Sequence, residues 1–137
     1  MKLSIMRSAM RGLVWAALGL SLTSARATDW FALGLFDQGT FYIDRSHVTR
    51  EGDSRKVWTM LDYRQPRQKS SGPTYRSTRT LMHIQCKTHQ FKALSLSYHA
   101  GTRGSGDVIS SEGVIQEWQP IPPDTVLAKM AWTVCDG

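Results

Sequence analysis

Two cysteines, Cys86 and Cys135, close two segments written in different periods, and this constrains the fold more than any other feature of the chain. Cys86 ends a strand-like alternation in which Thr80, Met82, Ile84 and Cys86 share one face, while Arg79, Leu81, His83 and Gln85 share the other. Cys135 ends a stripe in which Val126, Leu127, Met130, Ala131, Val134 and Cys135 recur at helical spacing, with Lys129 and Thr133 pointing elsewhere. Joined, the two thiols would pin a C-terminal helix onto the apolar face of a sheet. No CxxC pair is present, which argues against a thiol redox couple, and two thiols make a poor zinc site.

A structural disulfide requires an oxidising compartment, and the first 27 residues carry the signals for reaching one. Lys2, Arg7 and Arg11 form a positive leader, and Gly12 to Leu22 is an uncharged, mostly apolar stretch. Ala25-Arg26-Ala27 then supplies the small-x-small pattern that a signal peptidase reads, so cleavage is expected after Ala27. A membrane-spanning helix would need about 20 apolar residues, more than this stretch offers. The expected organisation is a cleaved signal peptide at 1–27 and one exported domain at 28–137, with no transmembrane segment in the mature chain. The whole sequence carries 17 bases, 11 acids and a formal charge of +6. Four of the bases and none of the acids lie in 1–27, so the exported domain is almost balanced.

Within 28–137 the pattern is mainly that of strands. Trp30 to Phe36 and Thr40 to Asp44 are β-rich runs separated by the turn signal Asp37-Gln38-Gly39. Arg45 to Val48 reads as a brief helical turn, and Glu51 to Ser54 as a tight turn. Lys56 to Tyr63 alternates, with Val57, Thr59, Leu61 and Tyr63 opposite Trp58 and Met60, apolar on both sides. Residues 64–76 contain two prolines, a glycine and bases, and read as a loop. After Thr78–Cys86 a short hairpin loop leads to Phe91–Tyr98, where Leu94, Leu96 and Tyr98 alternate with Ala93, Ser95 and Ser97. The glycine-rich turn 101–106 leads to a last strand expected near Val114–Trp118, and Asp124 or Thr125 is placed to cap the helix. The expected fold class is α+β: a single antiparallel β-sheet of about six strands with a C-terminal α-helix pinned to it by the Cys86–Cys135 disulfide.

Catalytic signatures are missing. There is no GxSxG, and the glycine run lacks the Lys-Ser/Thr of a phosphate loop. His83, His89 and His99 would have to meet across a hairpin to hold a metal or haem. Surface histidines without a ligand are commoner, so no metal, cofactor or enzyme activity is expected. Charge is more informative. Residues 63–103 contain eight bases and no acid. Arg64, Arg67, Lys69, Arg76, Arg79, Lys87 and Lys92 are the candidate basic patch, suited to an acidic partner if neighbouring segments do not neutralise it. Export removes nucleic acid as the usual target.

Several short stretches, in order, resemble the surface-adhesin protein E family of Gram-negative bacteria. They are Trp30, Tyr42-Ile43-Asp44, Val57 to Tyr63 (VWTMLDY) and Tyr75-Arg76-Ser77, followed by Cys86, Tyr98, Trp118 to Pro123 (WQPIPP) and Cys135. The resemblance covers nearly all of 28–137. It implies a small antiparallel sheet with a disulfide-tied C-terminal helix, homodimers, and adhesion to host extracellular-matrix or serum proteins, with haem as a further ligand. The family's type member is a lipoprotein, whereas no cysteine stands at the cleavage site here, so a periplasmic or released location is expected. The resulting expectation is an exported, non-catalytic binding module whose basic segment contacts host proteins or acidic glycans. The other reading is a periplasmic inhibitor or envelope-maintenance protein.

Overall fold

The computed structural model describes residues 28–136, so the expected signal peptide lies outside the described residues. Eight strands form one antiparallel sheet: β1 Trp30–Phe36, β2 Gly39–Asp44, β3 Thr49–Glu51, β4 Ser54–Gln68, β5 Thr74–Gln85, β6 Gln90–His99, β7 Val108–Gly113 and β8 Gln119–Pro120. The sheet therefore has eight strands rather than the six expected: the main path runs β1-β2-β4-β5-β6-β7. The other two are short additions, β3 pairing with β4 and β8 pairing with β6. Helix α1, Val126–Asp136, follows as the last element.

Periodicity decides which face is the core. Register places Val57 beside Met82, and Ile84 beside Phe91, on one face of adjoining strands. That face, with Leu33, Phe41 and Ile43, packs against Met130, Ala131 and Val134 of α1. Thr125 caps the helix, its Oγ1 accepting the Ala128 N–H at 3.1 Å, as the sequence suggested. Lys129, expected to point away, donates instead from Nζ to the Leu33 carbonyl at 2.7 Å, tying α1 to β1. The Cys86–Cys135 disulfide holds the other end of the helix, with Cα atoms 5.7 Å apart.

Three features differ from expectation. The segment 64–76 is mostly strand: β4 runs on to Gln68 and β5 begins at Thr74, leaving only a short turn. Pairing jumps from Asp62↔Ser77 to Arg67↔Tyr75, so Pro66 sits in a bulge where no ladder N–H is required of it. A second bulge interrupts β6 at Leu94, between the Leu81↔Ser95 and Met82↔Ala93 pairs. It turns Ala93 onto the core face rather than opposite Leu96, and the Gln116 side chain accepts the Ala93 N–H at 2.7 Å. The last long strand is Val108–Gly113 rather than 114–118, and only Gln119–Pro120 pairs again beyond it.

The second apolar row of β4 is covered differently. Met60 lies on the face away from α1 yet is buried, because the turn around Gly104 folds over it. Buried Ser77 fastens that turn, donating to the Gly101 carbonyl at 2.7 Å and accepting the Gly104 N–H at 2.8 Å. Asp62 accepts the Arg103 N–H at 2.8 Å.

Replacing both Cys86 and Cys135 by serine frees a 49-residue separation in the unfolded chain. Loop entropy puts the loss at up to about 4 kcal/mol. Urea titration of the double variant should show a correspondingly lower midpoint, and an unchanged midpoint would refute a stabilising staple.

Candidate functional site: a cation–aromatic sheet face

The sheet has one face under the helix and one without it. Strand alternation sends Lys56, Trp58 and Met60 of β4 and Arg79, Leu81 and His83 of β5 to the helix-free face. Trp30 and Tyr42 reach the same face from β1 and β2, and Lys92 from β6. The Arg79 guanidinium carbon lies 5.3 Å from the Trp30 ring centroid and 5.4 Å from that of Trp58. Arg103 lies 5.6 Å from the Tyr42 ring. Further along, the Lys92 ammonium sits 4.6 Å from the Trp118 ring centroid, and the His83 ring packs 4.8 Å from it. Positive groups placed on indole faces are attracted by the ring quadrupole, which fixes both partners.

A trough of about 390 Å³ opens on this face, its lining including Thr28, Asp44, His47, Lys56, Trp58 and Arg79. Asp44 is buried and accepts from the Ser46 Oγ at 2.6 Å, the His47 Nδ1 at 2.7 Å, the Ser46 N–H at 3.0 Å and the Asp29 N–H at 3.2 Å. Burial alone would raise its pKa, but these hydrogen bonds together outweigh it and hold the carboxyl below its ordinary value. Asp44, Ser46 and His47 do not form a nucleophilic triad. The serine hydroxyl and the carboxylate both meet His47 at Nδ1, whereas a triad needs the two ring nitrogens separately. The trio is the N-terminal cap of the helical turn Arg45–His47.

The seven expected patch residues fall into three groups. Arg64, Arg67, Lys69 and Arg76 gather around the β4–β5 hairpin end. Arg64 donates to the Asp37 carbonyl, Arg67 to the Gln38 side chain, and Arg76 to the Tyr63 and Arg64 carbonyls at 3.4 and 3.3 Å. Lys69 pairs with Glu112 at 3.5 Å. Arg79 and Lys92 lie on the helix-free face described above. Lys87 stands beyond the far end of β5, 4.0 Å from Asp53. The histidines are likewise apart. His83 pairs with Lys92 and His99 with Ser77, six residues away along β5, roughly 20 Å. Among the described residues no three His, Cys, Asp or Glu side chains converge on a metal position.

The tryptophans of the helix-free face and Lys56 escaped the charge-based reading, because Lys56 lies before the acid-free window and indoles carry no charge. A signal was present: the β4 alternation is apolar on both sides, which leaves a second face needing its own cover.

Fold and site define a class of small domain: a disulfide-stapled antiparallel sheet with one helix, whose helix-free face holds ordered rings and cations. The model of the surface-adhesin protein E family matches residues 30–136, and the chain belongs to that family. Its fold is that of protein E from Haemophilus influenzae. One crystal form aligns with a TM-score of 0.61 at 16% identity over 70% of this chain and 80% of that one. Protein E from a non-typeable strain aligns with a TM-score of 0.62 at 15% identity over 83% of this chain and 79% of that one. No curated protein matches the chain in sequence. No helix among the described residues is long and apolar enough to cross a membrane.

Burial, then the nearby Arg79, lowers the His99 pKa from 6.5, and burial with Lys56 and Lys92 does the same for His83. Both rings are therefore neutral at pH 7. A lowered histidine pKa means that the unfolded chain binds more protons, so stability is full above about pH 6.5 and declines below it. Thermal melting between pH 7.5 and 5 should show this decline, and His99→Gln should flatten it. A slope unaffected by the substitution would contradict the assignment.

Proposed function

We propose that the chain is an exported, non-catalytic adhesin module, released from the segment 1–27, that holds acidic partners through the bases of residues 63–103. Host matrix or serum proteins with acidic surfaces and acidic glycans are the partners of that chemistry. The family supplies the adhesive character. One observation carries the extension to acidic ligands: the way these bases are held.

Among the described residues, no carboxylate pairs with Arg64, Arg67, Arg76, Arg79 or Lys92. Their positions are set by backbone carbonyls, an amide oxygen and aromatic rings. Carbonyls and rings orient a cation without cancelling its charge, so the field of the group remains available to a ligand. Lys69 and Lys87 are partly offset by Glu112 and Asp53, at exposed positions where such pairs contribute little. Among the described residues, the acids of the flanking segments thus pair with Lys69 and Lys87 but not with the other five patch residues, which supports the reading.

Long-range attraction of this kind is screened by salt. The purified protein should be retained on immobilised heparin at low ionic strength and elute as salt rises. Combined Arg64→Glu, Arg67→Glu and Arg76→Glu should shift elution to clearly lower salt with the melting temperature little changed. Unchanged elution of that folded variant would rule out a contribution from the hairpin end, and absence of retention in the parent protein would refute the acidic-ligand reading.

A further inference from the structure

We propose that the helix-free sheet face is a carbohydrate-binding site for an anionic glycan, whose acidic group lies against Lys56 and Lys92 and whose sugar ring stacks on Trp58. This deepens the function proposed above and rests on it, but it names a different surface from the hairpin end and a different interaction from general charge attraction.

The register brings the parts together. Lys56 pairs with His83, and His83 with Lys92, so two ammonium-bearing side chains flank one imidazole across three adjacent strands. The strands are about 4.8 Å apart, so the row is compact. Burial first, then both lysines, lower the His83 pKa, with Glu51 opposing them, so both ammonium groups lie close enough to His83 to be felt there. Lys56 has an acidic neighbour, Glu51 at 3.6 Å, with both side chains partly exposed, whereas Lys92 lies on the Trp118 ring and pairs with no carboxylate among the described residues. The His83 Nε2 is buried without a hydrogen-bond partner. An anion placed between the two ammonium groups would relieve their repulsion at little cost, because the rings and strands already hold the site in place.

The surroundings suit a sugar. Trp58 lies two residues along β4 from Lys56 and opposite Leu81, one pair away from the lysine row. Its ring is half-buried and steadied by Arg79 at 5.4 Å, which gives a flat apolar platform of fixed orientation. Beyond it the 390 Å³ trough offers hydroxyls of Thr28 and Thr49 and the guanidinium of Arg79, whose Nε is also without a partner. Its volume lies at the small-ligand end of binding cavities. Asp44 lines the trough, but its oxygens are taken by Ser46, His47 and the Asp29 backbone, so it presents little free acceptor to repel a ligand. A flat ring beside a cation pair and a hydroxyl-lined trough matches a polyhydroxylated ring bearing a negative group. A peptide would gain from backbone hydrogen bonding, which the middle of a paired sheet does not offer. Lysine ammoniums are point charges without a fork geometry, so carboxylate and sulfate are both accepted.

The test is calorimetric titration of the purified protein with heparin hexasaccharide, hyaluronan hexasaccharide and cellohexaose. Sulfated and carboxylate-only sugars should bind, and the neutral one should bind at least about tenfold more weakly, since it lacks the charged group. Trp58→Ala should weaken binding about five- to tenfold with Trp58→Phe largely restoring it, as expected for one stacking contact. Lys56→Gln with Lys92→Gln should weaken binding by about tenfold or more and reduce its salt dependence. Trp132→Ala, on the exposed side of α1, should change nothing. If heparin binding survives the Trp58 and lysine variants but is lost with the hairpin charge reversals, this site is overturned and the acidic-ligand function stands. If an acidic matrix protein binds while every hexasaccharide fails, the glycan assignment is overturned. If nothing acidic binds, both readings fail.

Discussion

Everything else in this small domain depends on the burial of Val57, Met82 and Ile84 beneath Met130, Ala131 and Val134. One helix is enough to cover one face of a sheet, and the disulfide at one end and the Lys129–Leu33 bond at the other hold it there. Among the described residues, the opposite face receives no second layer of secondary structure. The chain solves the exposure of that face with its own side chains: the turn at Gly104 over Met60, and cations laid against indoles elsewhere.

That solution has a functional consequence. A face covered by leucines would call for another protein layer, whereas a face covered by stacked Trp30, Arg79, Trp58, Lys92 and Trp118 tolerates water and still offers flat apolar surface. The interactions that make the face soluble also order it, and they leave the positive charge of its cations uncancelled. On the binding reading proposed above, adhesion would use a surface the fold must stabilise in any case.

The sequence exposed the covered half of this architecture and concealed much of the other. Alternation up to Cys86 and helical spacing up to Cys135 carried the disulfide, the helix and the core face, because local period and burial agree there. The capping role of Thr125 was legible for the same reason. Bulges were not. Nothing local distinguishes Pro66 in a bulged strand from Pro66 in a loop, and the break at Leu94 depends on pairing with β5. The Lys129 contact with Leu33 joins residues at opposite ends of the domain, so its helix position alone could not reveal it. The basic window was visible as composition, but its division into hairpin end, open face and far turn is set by register. Trp58 was visible within the second apolar row of β4, but Trp30, Trp118 and the cations of β5 and β6 that join it on that face come together only through register.

The central claim is that the helix-free face is the binding face, and the indole N–H signals of the tryptophans report on it directly. Trp30, Trp58 and Trp118 belong to that face and its rim, while Trp132 lies on the outer side of α1. Two-dimensional 15N–1H spectra recorded during titration with heparin hexasaccharide should show the Trp58 signal moving most, Trp30 and Trp118 moving with it, and Trp132 staying in place. Saturable movement of Trp132 with a stationary Trp58 would contradict the account.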